Sequence, residues 1–141
     1  MNELFFLQPD ILSALTRGLW VSVQLIIPSS LFGVIIGVTV GALRVYGNTV
    51  VRAAGDAFVL VFRGFPLVVQ LFIWYFGLPH IGIYLTPFAA SVLGFSLCSG
   101  AYQSEYVRGA FLSVKTGQTM AARALGFSGI KTILFVTLPQ A

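Results

Sequence analysis

Residues 18–43 read GLWVSVQLIIPSSLFGVIIGVTVGAL, twenty-six residues without a charge. As an α-helix rising about 1.5 Å per residue the stretch is roughly 39 Å long, enough to cross about 30 Å of hydrocarbon with some tilt. It is too long for a signal-peptide core, which needs about 7–15 apolar residues behind a basic start. The residues before it carry Glu3 and Asp10 and, up to Asp10, no lysine or arginine. The stretch therefore reads as a retained transmembrane helix, and it sets lipid as the solvent for the rest of the chain.

Composition agrees. Of 141 residues, 57% are hydrophobic and only 9% charged, with a mean hydropathy of +0.94. Soluble domains carry about a quarter charged residues. So apolar a chain is not a nucleic-acid-binding domain, a disordered segment or an ordinary cytosolic enzyme. The net charge of +4 is then a topology signal. The single cysteine, Cys98, excludes an intrachain disulfide framework and a cysteine-rich metal site, and reads as a small apolar helix residue.

A second uncharged run, Gly64 to Ser104, is 41 residues long and includes the lone His80. One straight helix of that length would be about 62 Å, twice the bilayer core, so the run folds back once. Gly77, Pro79, Gly82 and Pro87 place the reversal at 78–87. The arm before it is too short unless it extends back to Ala57, which brings Arg63 into the helix, either snorkelling to the interface or lining a protein-filled interior. The expected organisation is an all-α integral membrane protein: tail 1–17, transmembrane helix 18–43, loop 44–56, transmembrane helix 57–77, turn 78–87, transmembrane helix 88–107 and a polar segment 108–141. Charge sums of −1 over residues 1–17, +2 over 44–63, zero over 78–87 and +3 over 105–141 orient it. Positive segments stay cytoplasmic, so the N-terminus and the 78–87 turn are expected outside.

Within the first helix Gly33, Gly37 and Gly41 recur every four residues, and Ser29 extends the row. That spacing forms one face on which another helix backbone can approach closely, so these glycines are read as a packing face. Pro28 is expected to kink the outer half. Catalytic groups are missing: intramembrane chemistry needs an activated nucleophile or paired carboxylates. His80 falls in the turn, Glu105 has no acidic neighbour, and no GxxxxGK[ST] phosphate loop occurs. The residues point away from an enzyme, a metal site or a bound cofactor.

Past Val107 charges return. Met120, Ala121, Ala124 and Leu125 fall on one helical arc with Thr119 and Arg123 opposite. Gly126 reads as a left-handed stop, and Ser128 as the cap of a second short helix that carries Ile130, Ile133, Leu134 and Thr137 and ends before Pro139. This pair is either an amphipathic hairpin resting on the membrane or a docking site.

The run Gly117-Gln118-Thr119-Met120-Ala121-Ala122-Arg123-Ala124-Leu125-Gly126, followed by Leu138-Pro139-Gln140-Ala141, resembles the EAA loop of ABC-importer permeases. Arg63-Gly64-Phe65-Pro66-Leu67-Val68-Val69-Gln70-Leu71 is similar to the RGTPLLVQL segment of the polar amino-acid uptake group of that family. Gly100 to Gly109 resembles the same group's GAYxSExxRG stretch. The resemblance implies the N-terminal part of an ABC-importer permease fold in a bacterial cytoplasmic (inner) membrane. It implies a subunit passing an amino acid inward, with a separate cytoplasmic ATPase, a second permease subunit (homo- or heterodimer) and an extracytoplasmic amino-acid-binding protein as partners beside membrane lipid, and no nucleic acid. It assigns ATPase docking to Gly117, Met120, Ala121, Ala122, Gly126 and Ile130. Gln70, Tyr102, Gln103 and Glu105 are candidates for the translocation path, against a reading as interhelical hydrogen bonds or an interfacial charge. Met120 stands where the family has the glutamate of its signature, and the family continues past LPQA, so the chain is expected to be truncated. The alternative functions are a three-helix accessory or relic membrane protein that moves no solute and a channel. The channel would need polar rings that Gln24, Gln70 and Gln103 are too few to build.

Overall fold

The computed structural model describes residues 9–141, and these form helices joined by short turns, with no strand among the described residues. Residues 1–8 of the expected tail, Glu3 included, lie outside them. Helix α1 spans Pro9–Tyr46, longer at both ends than 18–43 and continuous through Pro28. Asp10 in its first turn and Arg44 in its last complement the helix dipole.

The expected 44–56 loop shrinks to a turn at 47–48. Helix α2, Thr49–Gly64, starts at once because the Asn48 side chain accepts a 2.9 Å bond from the Val51 N–H. Val51, Gly55, Phe58, Val59 and Phe62 form its inward row. The single helix expected over 57–77 is broken. Pro66 has no N–H to donate and holds Phe65 extended at φ −93°, ψ 136°, so α2 stops and α3 (Leu67–Phe72) leaves at 102° to it.

The turn expected at 78–87 is also shorter. The chain stays helical beyond α3, as a π-helical turn Ile73–Gly77 and a 3-10 turn Leu78–Ile81, and reverses over 82–86 with Gly82 at φ +83°. Pro79 explains the widening. Its ring would collide with the carbonyl four residues back, and the wider turn lets the Leu78 N–H reach Ile73 O, five back. The same device recurs at Leu138-Pro139, where the Leu138 N–H bonds Ile133 O.

Helix α4, Pro87–Ser113, outruns the expected 88–107. Thr86 caps it by accepting from the Ala89 N–H at 3.2 Å. It is the central helix, burying Ala90, Gly94, Ser96, Gly100, Ala101, Ser104 and Phe111. Among the described residues, only α1 is by itself long and apolar enough to cross a membrane, and the α2–α3 unit (Thr49–Gly64 with Leu67–Ile81) qualifies only as a bent pair. Helix α4 has the length, but its serines, Gln103, Glu105 and Arg108 dilute its apolarity. Those groups are tolerated where neighbouring helices cover them.

Helices α1 and α4 run in the same direction in close contact. A Cβ added at Gly33, Gly37 or Gly41 would fall 2.8 Å from Ser99 Oγ, 2.6 Å from Gln103 Cβ or 2.8 Å from Val107 Cγ1 respectively. The whole glycine row is buried against α4. Helix α5 (Thr116–Ala124) and α6 (Gly129–Thr132) close the described chain. Contrary to the stop expected before Pro139, α6 continues as a π-turn Ile133–Thr137 and a 3-10 turn Leu138–Gln140. The π-turn puts residues five apart on one side, and the Thr137 hydroxyl donates to Thr132 O with both side chains buried.

Candidate functional site

Two groups of residues stand out: a charge cluster where α1, α2 and α4 meet, and an apolar face on the α5–α6 pair. The glycine row sets up the first. Arg44 lies three residues past Gly41, on the same inward face of α1, and its side chain is only 8% exposed. Such a charge needs acidic partners. Its Nε donates to Asp56 Oδ1 of α2 at 2.7 Å, and its Nη2 forms an ion pair with Glu105 Oε1 of α4 at 3.0 Å. Glu105 also meets Arg63 of α2 at 3.4 Å and Arg108, one turn on in α4, at 3.3 Å. Arg63, which the 57–77 reading put inside a span, sits in the last turn of α2 with its guanidinium 5.0 Å over the Tyr102 ring. The sequence reading singles out Glu105 but misses Arg44 and Asp56. Arg44 lies seven residues, or two turns, past Gly37, and that spacing would have shown that it faces in.

The four path candidates do not form one surface. Tyr102 and Glu105 share the cluster. Gln103 faces the glycines of α1 and donates to Ser99 Oγ at 2.7 Å. Gln70 is buried at the α2–α3 elbow, where its Nε2 donates to Phe62 O at 3.0 Å and Phe65 O at 2.9 Å. Those are carbonyls that the helix break leaves without backbone donors, so Gln70 holds the elbow instead of lining a path with the others.

On the second group Gly126 adopts φ +84°, and the turn closes with Gly126 N–H to Arg123 O at 2.9 Å and Phe127 N–H to Ala122 O at 3.1 Å. This is the paired bonding of a Schellman stop. The Ser128 side chain then accepts from the Lys131 N–H, so both helix ends at the corner are fixed. Gly117, Met120, Ala121, Gly126 and Ile130 are exposed, as are Ala124 and Leu125. Ala122 is not on that face. At 5% exposure it belongs to the inner side of the pair, with Thr132 and Thr137, because it lies on the face of α5 that packs on α6. A cavity of about 550 Å³ separates this inner side from the end of α1, between Thr39, Leu43 and Tyr46 and Thr119, Thr132 and Ile133.

The chain is similar to known proteins. A probable amino-acid ABC transporter permease protein, y4tF of Sinorhizobium fredii, is 39% identical over 138 residues, covering 94% of this chain and 58% of its own length. The L-cystine transport system permease protein TcyB of Bacillus subtilis is 38% identical over 127 residues, covering 90% of this chain and 54% of its own. The chain thus spans a little over half the length of these curated relatives. The crystal structure of an amino acid ABC transporter with histidines superposes with a TM-score of 0.71 at 27% identity, over 94% of this chain and 65% of that one. The all-helical fold is that of ABC-importer permeases. Residues 11–141 match the family described as Binding-protein-dependent transport system inner membrane component. With a parallel glycine-packed helix pair, a proline-broken return arm and a left-handed glycine corner on one chain, and that match over nearly all of it, the chain belongs to this family of transport-system inner membrane components.

Proposed function

We propose that this chain forms the membrane pathway portion of an ATP-driven amino-acid importer and that its α5–α6 corner docks a separate cytoplasmic ATPase. The solute class follows the relatives named for L-cystine and amino-acid transport. A second permease subunit and an extracytoplasmic binding protein complete the assembly. The chain crosses the membrane three times, through α1, the bent α2–α3 arm and α4, with its N-terminus outside. The positive charge of the 44–63 and 105–141 segments supports that orientation, and the parallel run of α1 and α4 supports a return between them.

The observation that carries the reading is the outward apolar face of the corner, with Leu125 80% and Ile130 72% exposed. That face is held on a turn closed by the Gly126 N–H to Arg123 O and Phe127 N–H to Ala122 O bonds. A small apolar surface on a rigid corner passes on a rigid-body push. Ala121→Asp puts a charge into that contact, and Gly126→Val strains the left-handed turn by about 1–2 kcal/mol. Each is expected to lower recovery of the ATPase co-purified in detergent by about tenfold while leaving membrane insertion unchanged. Full recovery with both variants would remove the docking role.

A further inference from the structure

Among the described residues, the charge cluster is unbalanced. Arg44, Arg63 and Arg108 face Asp56 and Glu105, which leaves one positive charge over. The excess has an address. The Nε and Nη2 edge of Arg44 is filled by the two carboxylates, while its Nη1 is buried and bonds to nothing. A buried guanidinium donor without an acceptor is costly enough that its presence points to a partner.

A cavity of about 440 Å³ opens at this cluster, lined by Arg44, Asp56, Leu60, Arg63, Tyr102 and Glu105, with the free donor enclosed behind it. What fits it is a group of charge −1 with more than one acceptor oxygen. A zwitterion would leave the excess charge standing. The setting favours a lipid as its source, since Leu60 and Val61 of α2 and Phe65 at the elbow are exposed apolar side chains next to the charges. Helix α2 turns one apolar row inward and carries Arg52, Asp56 and Arg63, so it is the amphipathic half of the bent crossing arm, with its charges at headgroup depth.

We propose that this cluster seats the phosphodiester headgroup of an anionic phospholipid, with phosphatidylglycerol as the type. The Arg63 side chain is 41% exposed and holds Glu105 at 3.4 Å, the longest of the cluster's ion pairs. It swings off the carboxylate to admit the headgroup, and a phosphate oxygen then accepts from Arg44 Nη1 while Arg63 closes over the other. Basic pockets between membrane helices recognise anionic headgroups in this way. The site rests on membrane embedding alone. The amino-acid importer reading can fail and leave it intact, and the orientation decides only which leaflet supplies the lipid.

The test uses the whole chain in nanodiscs of equimolar phosphatidylglycerol and phosphatidylcholine, with retained lipid counted by native mass spectrometry. Wild type is expected to keep one phosphatidylglycerol in preference to phosphatidylcholine. Millimolar inorganic phosphate should not displace it. Arg63→Gln should weaken retention about five- to tenfold, as for the loss of one basic contact. Arg123→Gln, which removes an exposed arginine of α5 remote from the cavity, should leave retention unchanged. Equal retention of the two lipids by wild type, a reading that needs no variant to fold, would overturn the proposal. So would the same loss from Arg123→Gln, which would mean diffuse attraction. Displacement by inorganic phosphate would make this a soluble-oxyanion site and overturn the lipid.

Discussion

Glu105 meets guanidinium groups from α1, α2 and its own helix α4, and through Arg44 it is tied to Asp56 as well. The members differ in exposure. Arg44 is nearly enclosed, while Arg63 and Arg108 reach solvent and contribute little as pairs. Removing Glu105 therefore acts mainly through Arg44, which is left with one carboxylate for a buried charge. Glu105→Gln is expected to destabilise the chain by roughly 1–3 kcal/mol, a buried-pair loss discounted for partial exposure. Lys115→Gln, on an exposed side chain outside the cluster, should change stability by no more than about 0.5 kcal/mol. Unfolding titrations in mixed detergent would compare the two, and equal stability would place Glu105 on a solvated rim.

At the scale of elements, the contact between α1 and α4 depends on glycines with no room for a side chain. At Gly37 a Cβ would stand 2.6 Å from Gln103 Cβ and 3.3 Å from Gly100 O, so the two backbones would have to move apart. Gly37→Leu is expected to cost about 1–3 kcal/mol through overpacking. Gly18→Ala, with nothing within 4 Å, should be neutral or stabilise by up to about 1 kcal/mol through helix propensity. Thermal unfolding in one detergent separates these outcomes. The glycine row is legible in the sequence because it repeats at helical spacing, and so is Gly126, because a glycine at the end of an amphipathic arc tolerates the left-handed stop that other residues resist. The broken return arm is less legible. Its apolar run continues across Pro66, and a 3.6-residue wheel has no place for the π-turns before Pro79 and Pro139. Ala122 shows the limit of the motif: the resemblance groups it with Ala121, whereas the helical arc leaves it out and the packing of α5 on α6 buries it.

At the scale of the whole molecule, the proposed orientation predicts which surfaces water-borne reagents reach from outside. Tyr84 is 80% exposed and ordinary in backbone, a better probe of the 82–86 reversal than Gly82 with its positive φ. In a Cys98→Ser background, Tyr84→Cys should label with an impermeant thiol reagent in intact cells, and Lys115→Cys only after permeabilisation. The opposite pattern would invert the orientation. The parallel pairing of α1 and α4 has a different consequence, for descent. Gly33, Gly37 and Gly41 meet Ser99, Gln103 and Val107, always 66 residues further along. A residue gained or lost between 47 and 86 would change that number and leave each pairing as it is. One gained inside either paired tract would turn everything beyond it by about 100° and carry the small residues off the seam. Among descendants of a common ancestor, length should drift in the 82–86 reversal and stay fixed along the seam, so the offset is free to vary between lineages while the order of partners is inherited.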